Sequence, residues 1–318
     1  MQRRQCLHAL LILLTFSCCE TLNAQQNQTA SSHEIEVVRN VAYVTDEHER
    51  QRLDLYLPTN RSAEQLPLIV YIHGGAWQNG DKAGGNRFVN ELVASGKFVG
   101  ASINYRLSHH AIWPAQIHDC KAAIRWLKGN AEKYGIDPER IGVIGTSAGG
   151  HLVAMLGTTG GVKELEGKLG EHLEQSSRVA AVVDFFGPTE LLTMNGFPGK
   201  MDHNAPNSPE SKLMGGPIQK LKEQTNAASP IHYVSTDDAR FLIIHGTEDP
   251  LVPFDQSRKF DELLDKTEVS STLITIEGGG HGGFRSKEVD EIVSKFWNQQ
   301  LYKTEILIPE VVLKQPRR

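Results

Sequence analysis

Cysteine is almost missing once the first twenty residues are passed. Of the 4 cysteines in 318 residues, Cys6, Cys18 and Cys19 crowd the N-terminus, which leaves Cys120 with no partner. A disulfide-stapled fold is thereby excluded. Cys120 shares a helical period with Ile117, Ile124 and Leu127, and no thiolate-stabilising pair adjoins it, so it reads as a small buried apolar residue. Blocks of basic residues are absent as well, and the formal net charge is −5. This excludes the electrostatic footprint of a nucleic-acid binder and leaves an anionic membrane surface nothing to attract. The apolar stretch from Ala9 to Phe16 is too short to span a bilayer. Histidine spacing suited to a metal is also lacking, and no metal or organic cofactor is expected.

What the chain does have begins with a leader. Arg3 and Arg4 precede the apolar stretch, and a polar exit ends at Ala24, the pattern of a secretory signal peptide over residues 1–24. Cleavage after Ala24 makes the protein secreted or periplasmic, with no stable membrane insertion afterwards. Two other exits stay open: lipid anchoring at Cys18, though Thr15-Phe16-Ser17 is a poor lipobox, and twin-arginine export through Arg3-Arg4. A polar linker over 25–35 follows, then a catalytic domain over 36–301 and a tail over 302–318.

Within that domain, 34–44 and 50–58 read as two edge strands, the second half-buried because Leu53, Leu55 and Leu57 alternate with Asp54 and Tyr56. LPLIVYI, 66–72, is continuously apolar, as a central strand covered on both faces should be. Helix and strand then take turns. Helices are expected near 86–95, around Cys120, after Ser147, over 255–265 and over 286–301. Strands are expected at 98–106, 140–145, 178–187, 240–246 and 270–278. Alternation of this kind implies an α/β fold with a mostly parallel sheet and helices on both faces. Residues 188–234 carry much Gly, Pro and Asn and little strand signal, so they read as a modest cap insertion over the carboxyl ends of the strands, where ligands bind.

GTSAG, 145–149, lies where the strand ending at Gly145 turns at once into a helix. It matches G-x-S-x-G, the strained strand-to-helix turn that lifts a nucleophilic serine above a sheet. A serine hydroxyl needs a base, and the base an orienting acid, in the chain order serine, acid, histidine. HGTEDPLVP ends a later strand and offers Asp249, with Glu248 as the alternative acid; GGGHGGF ends the next and offers His281. Ser147, Asp249 and His281 would therefore share one rim. HGGAW, 73–77, follows the central strand and offers backbone N–H groups at Gly75 and Ala76, beside that of Ala148, to hold an oxyanion. His73 is read as pinning that loop, and Trp77 as walling the acyl pocket or as a buried structural residue. Tyr105 is a further candidate for facing the pocket.

HGGAW, GTSAGG, HGTEDPLVP and GGGHGGF together resemble the α/β-hydrolase esterase and lipase superfamily, over about 36–300. The likeness is to its secreted carboxylesterase, acetylxylan esterase and feruloyl esterase branch. It implies an α/β-hydrolase fold and a Ser147–His281–Asp249 triad working through an acyl-enzyme without cofactor. It also implies a small-molecule or polysaccharide ester substrate, with short acyl groups on carbohydrates such as acetylated xylan favoured. Ala76 stands where hormone-sensitive-lipase-like relatives carry a third glycine, but its N–H is retained. Two alternatives remain: an amide hydrolase resembling kynurenine formamidases or serine peptidases, and a non-catalytic binding protein on the same fold.

Overall fold

The computed structural model describes residues 33–45, 48–60, 64–196, 198–199, 201–283 and 286–315. The leader, Cys6, Cys18, Cys19 and most of the linker lie outside the described residues. Nine strands are laid down in chain order as β1 (Ile35–Ala42), β2 (Arg52–Pro58), β3 (Leu66–Ile72), β4 (Val99–Ile103), β5 (Ile136–Thr146), β6 (Ala181–Phe185), β7 (Arg240–Gly246), β8 (Leu273–Glu277) and β9 (Val311–Lys314). They form one sheet in the order β1-β2-β4-β3-β5-β6-β7-β8-β9. β2 runs antiparallel to β1 and β4; every other pairing is parallel.

The helices are α1 (Asn86–Ala94), α2 (Ala115–Gly129), α3 (Ala131–Tyr134), α4 (Ala148–Thr158), α5 (Lys163–Glu166), α6 (Pro209–Met214), α7 (Lys222–Ala227), α8 (Asp255–Lys266) and α9 (Lys287–Tyr302). Val89 and Val93 of α1 and Phe296, Trp297 and Leu301 of α9 pack on one face of the sheet. Ile117, Cys120 and Ile124 of α2, Leu152 and Val153 of α4 and Phe260 of α8 pack on the other. Each strand from β3 to β7 is thus covered on both sides, which is why these segments read as unbroken apolar runs rather than alternating ones.

Two expectations are corrected and one open reading is decided. β2 is an interior strand, and its polar face is buried too: the Asp54 carboxylate is 1% exposed, 2.9 Å from the Lys82 ammonium, and accepts the Asn40 N–H at 2.8 Å. That pairing lets an aspartate sit where alternation implied solvent. β5 starts at Ile136 rather than Arg140; a register shift between the Leu66–Ile136 and Leu68–Ile141 pairs accommodates Pro138, which hides the extension. The tail, which the sequence leaves open between a stray strand and disorder, adds a strand to the sheet: Val311–Lys314 pair with Ile274–Glu277 as β9. The region 188–234 contains α6, α7 and short 3₁₀ turns and no strand among its described residues.

The β5–α4 junction is the tightest point of the fold. Ser147 has φ 55° and ψ −122°, outside the regions open to most L-residues, a conformation that costs about 1–3 kcal/mol. It is held by the Ser147 N–H donating to the Phe185 carbonyl at 2.9 Å. A Cβ at Gly149 would penetrate the Ile72 carbonyl oxygen, and one at Gly145 the Gly149 carbonyl. Below the junction, Asp184 of β6 accepts the Gly187 N–H at 2.8 Å and abuts Gly150. Complete burial pushes its carboxyl up to about 7, only partly offset by that hydrogen bond.

Gly149→Ala is expected to lower stability by about 3 kcal/mol in chemical denaturation, because both colliding groups are backbone. Asp184 supplies a pH test. A carboxyl whose native pKa is raised above its unfolded value, 3.8 rising to about 7, supports the fold while protonated, and that support fades as pH rises between them. Asp184→Asn cannot ionise, so its stability relative to the parent should grow by about 4 kcal/mol from pH 4 to pH 8. A difference independent of pH would contradict the assignment.

Candidate active site

Three strand ends bring Ser147, Asp249 and His281 together. The loops after β7 and β8 are laced to each other: Thr247 N–H donates to the Ile276 carbonyl at 3.0 Å, Glu248 N–H to the Gly279 carbonyl at 2.8 Å, and Gly278 N–H to the Thr247 hydroxyl at 2.9 Å. His281 Nε2 lies 2.9 Å from Ser147 Oγ, and His281 Nδ1 lies 2.7 Å from Asp249 Oδ2. Glu248, the alternative acid, is exposed at the surface, whereas Asp249 is fully buried.

Asp249 is held from three further directions. Leu251 and Val252 donate their N–H groups to its Oδ1 at 2.8 and 2.9 Å, and His245 Nε2 stands 3.2 Å from its Oδ2. Burial alone would raise the carboxyl, but the hydrogen bonds from His245 and His281 outweigh it and hold the group well below the ordinary carboxylate range. His245 was not singled out from the sequence. Its signal was present as the i, i+4 spacing to Asp249 across the end of β7. On its other nitrogen, His245 Nδ1 meets the Ser257 hydroxyl at 2.6 Å.

The loop after β3 is built just as tightly. Gly75, Ala76 and Trp77 have φ of 111°, 53° and 56°, three consecutive residues in the left-handed region. Gln78 and Asn79 both donate to the Gly75 carbonyl at 2.9 Å. Among the described residues none accepts the N–H of Gly75, Ala76 or Ala148. His73 pins the loop as expected: Nδ1–H donates to the Gly74 carbonyl at 2.7 Å, and Nε2 accepts from the Arg50 guanidinium at 2.9 Å. Burial lowers the His73 pKa to about 4, which keeps Nε2 an acceptor. Tyr105 does not face the pocket. It is fully buried, stacks on the His73 ring at 4.3 Å and donates its hydroxyl to the His73 carbonyl.

Trp77 is a buried residue that also lines a small cavity beside Ser147. It is 2% exposed, and its indole N–H donates to His151 Nδ1 at 3.2 Å. His151 Nε2 in turn faces the Ala228 carbonyl at 2.7 Å, linking the loop, α4 and the 188–234 region through one neutral imidazole. Burial lowers the His151 pKa to about 4.

Two unequal cavities meet over Ser147. One, of about 70 Å³, is walled by Trp77, Ala148, Pro188, Met194, Met201 and Val252. The other, of about 610 Å³, is open and lined by Tyr71, Gly75, Asn79, Asp81, Thr146 and Phe186. Ala76, Ser147, Leu251 and His281 border both. Among the described residues, the one grouping able to hold a cation is Asp261, Asp265 and Glu310, and none of these lines either cavity.

Comparison with known proteins bears on the family and the fold. The BD-FAE family model matches residues 53–264. Esterase LipC of Mycobacterium tuberculosis is 32% identical over 262 residues, covering 78% of this chain and 62% of LipC. Among solved structures, a truncated form of a carbohydrate esterase from gut microbiota is 37% identical with a TM-score of 0.78, over 86% of this chain and 98% of that one. The bifunctional GH43-CE of Bacteroides eggerthii is 35% identical with a TM-score of 0.76, over 83% of this chain and 38% of that one. The chain spans less than two thirds of the length of the first three curated relatives, 62%, 56% and 44%. On the strength of the family match and the sheet described above, the chain belongs to the BD-FAE family, an esterase family on the α/β-hydrolase fold.

Proposed function

We propose that the protein is an exported serine carboxylic-ester hydrolase acting on short acyl esters of carbohydrates. One observation carries the reading: the unbroken relay from Ser147 Oγ to His281 Nε2 at 2.9 Å and from His281 Nδ1 to Asp249 Oδ2 at 2.7 Å. In this reading Ser147 attacks the ester carbonyl while His281 Nε2 takes its proton. Asp249 holds the tautomer with Nδ1–H and stabilises the imidazolium. The N–H groups of Gly75, Ala76 and Ala148 receive the oxyanion. Each such donor stabilises it by about 3–4 kcal/mol. His281 then protonates the departing alkoxide, and water clears the acyl group by the same path.

The unequal cavities support the substrate class. About 70 Å³ beside Ala148 suits an acetyl-sized group, while the open 610 Å³ cleft suits a larger, polar alcohol. Two of the similar solved structures carry carbohydrate esterase and GH43-CE in their descriptions, which supports a sugar alcohol. The leader-like residues 1–24 support export.

Ser147→Ala should lower kcat for p-nitrophenyl acetate on the order of 10⁶-fold while the melting temperature stays close to the parent's. A phosphonate inhibitor should add one adduct to the parent, located on Ser147 by mass spectrometry. Adduct formation elsewhere, or faster turnover of N-formylkynurenine than of any ester, would replace this reading. Along a p-nitrophenyl ester series, kcat/KM should fall at least about tenfold from acetyl to hexanoyl, because further methylenes have no space beside Met194 and Trp77. A flat profile would remove the small cavity from the acyl role.

A further inference from the structure

The small cavity beside Ser147 is not wholly apolar, and the exception comes from one short stretch of sequence. In HNAPNSPES, 203–211, Ser208 caps α6 by accepting the Ser211 N–H at 3.1 Å, and Pro209 opens the helix. The same hydroxyl donates to the His203 carbonyl at 2.7 Å, so the loop closes on itself and sets His203 against Glu210. Both flanks are anchored. The His203 N–H donates to Asn195 Oδ1 at 2.8 Å, and the Leu213 carbonyl accepts the Trp113 N–H at 2.8 Å. Lys212 Nζ donates to Gln78 Oε1 at 3.0 Å, which ties α6 to the loop after β3.

His203 and Glu210 are 3% and 2% exposed, and both line the cavity of about 70 Å³. Their polar atoms are incompletely satisfied. His203 Nδ1 lies 3.0 Å from Glu210 Oε1 but out of line for a hydrogen bond, and Glu210 Oε2 has no hydrogen-bond partner among the described residues. Buried polar atoms nearly always have a partner, and leaving one bare is costly. The remaining walls, Trp77, Pro188, Met194, Met201 and Val252, offer mainly apolar surface. The volume is several times the roughly 10–15 Å³ that one water needs, so a hydroxyl beyond an acetyl carbon fits.

We propose that the His203–Glu210 pair reads the polarity of the acyl group: the cavity selects short acyl groups carrying a hydroxyl, which donates to Glu210 Oε2, over alkyl acyl groups of the same size. The proposal rests on the ester-hydrolase reading of Ser147 given above. An alkyl end would strip the carboxyl of water and return nothing, whereas a hydroxyl replaces the bond it displaces. The acyl group stays in the cavity from the bound ester to the tetrahedral state, so the discrimination appears in kcat/KM. A pair that served only to hold α6 in place would alter stability and leave the discrimination unmoved.

The test uses isosteres: p-nitrophenyl glycolate against propionate, and 3-hydroxypropionate against butyrate. Each kcat/KM ratio is divided by the ratio for hydrolysis by hydroxide, which removes the intrinsic reactivity of the hydroxy ester. The parent should favour the hydroxyl member of at least one pair by about tenfold or more. Glu210→Leu, which has no acceptor, should bring that ratio to within about twofold of unity, and Glu210→Gln, which keeps an oxygen, should retain at least about a third of the preference. Equilibrium dialysis with Ser147→Ala reads the cavity without turnover: the hydroxyl ester should bind at least about tenfold more tightly than its isostere. Corrected ratios near unity in the parent, a preference that survives in Glu210→Leu, or equal binding of both isosteres to Ser147→Ala would overturn the role of the pair. If Glu210→Leu does not fold, the parent ratios and the binding comparison decide alone. A parent that hydrolyses no ester while Ser147→Ala still prefers the hydroxyl member would instead overturn the reaction assigned to Ser147.

Discussion

The site depends on one backbone-to-backbone contact: the first turn of α4 lies against the carbonyls that end β3. Gly149 has no room for a Cβ because Ile72 and His73 occupy that space, and Gly74 is likewise closed off by the Thr146 carbonyl. This mutual approach sets the distance between the β5 serine and the loop after β3. Two elements that would otherwise be neighbours at side-chain spacing are drawn together until their peptide groups touch. Glycine is the only residue that permits this, and the strained φ at Ser147 and Ala76 is the local cost. Neutral imidazoles then lock the arrangement from behind. His73 ties the loop to Arg50, and His151 ties Trp77 to Ala228, so the loop cannot relax without breaking buried hydrogen bonds.

Charge is distributed with the same economy. Asp249 is fully buried yet stays ionised because four donors surround it: two backbone N–H groups and two imidazoles. A carboxylate so well satisfied orients His281 firmly and has little tendency to take its proton. The neighbouring Asp184 shows the opposite outcome. With one N–H partner and complete burial, its carboxyl is pushed toward the neutral form.

Much of this was legible in the chain. The elbow at 145–149 is a local signal, since small residues at fixed spacing between an apolar strand and a helix have few other uses. Asp249 and His281 followed from order along the chain, because parallel strands deliver their carboxyl ends to the same rim. What escaped notice depends on partners far away in sequence. Asp54 on β2 looked solvent-facing until Lys82 and Asn40 supplied its counter-charge and donor. Tyr105 looked as able to face a pocket as to stack beneath His73, and only the packing separates the two. Pro138 disguised the start of β5, and the pairing of residues 311–314 gives no local sign beyond a short apolar run. The cavities could not be read at all, since they are spaces left between elements rather than residues within one.

The C-terminal strand carries a last consequence. β9 lies parallel to β8, and with Val312 68% exposed it is the outermost strand on that side of the sheet. It covers the hydrogen-bonding flank of the strand whose continuation bears His281. A chain cut short after α9 would leave the N–H and C=O row of β8 bare, a ready template for another strand. Residues 311–314 therefore act as a hem: they keep this edge of the sheet from becoming the place where two molecules stick.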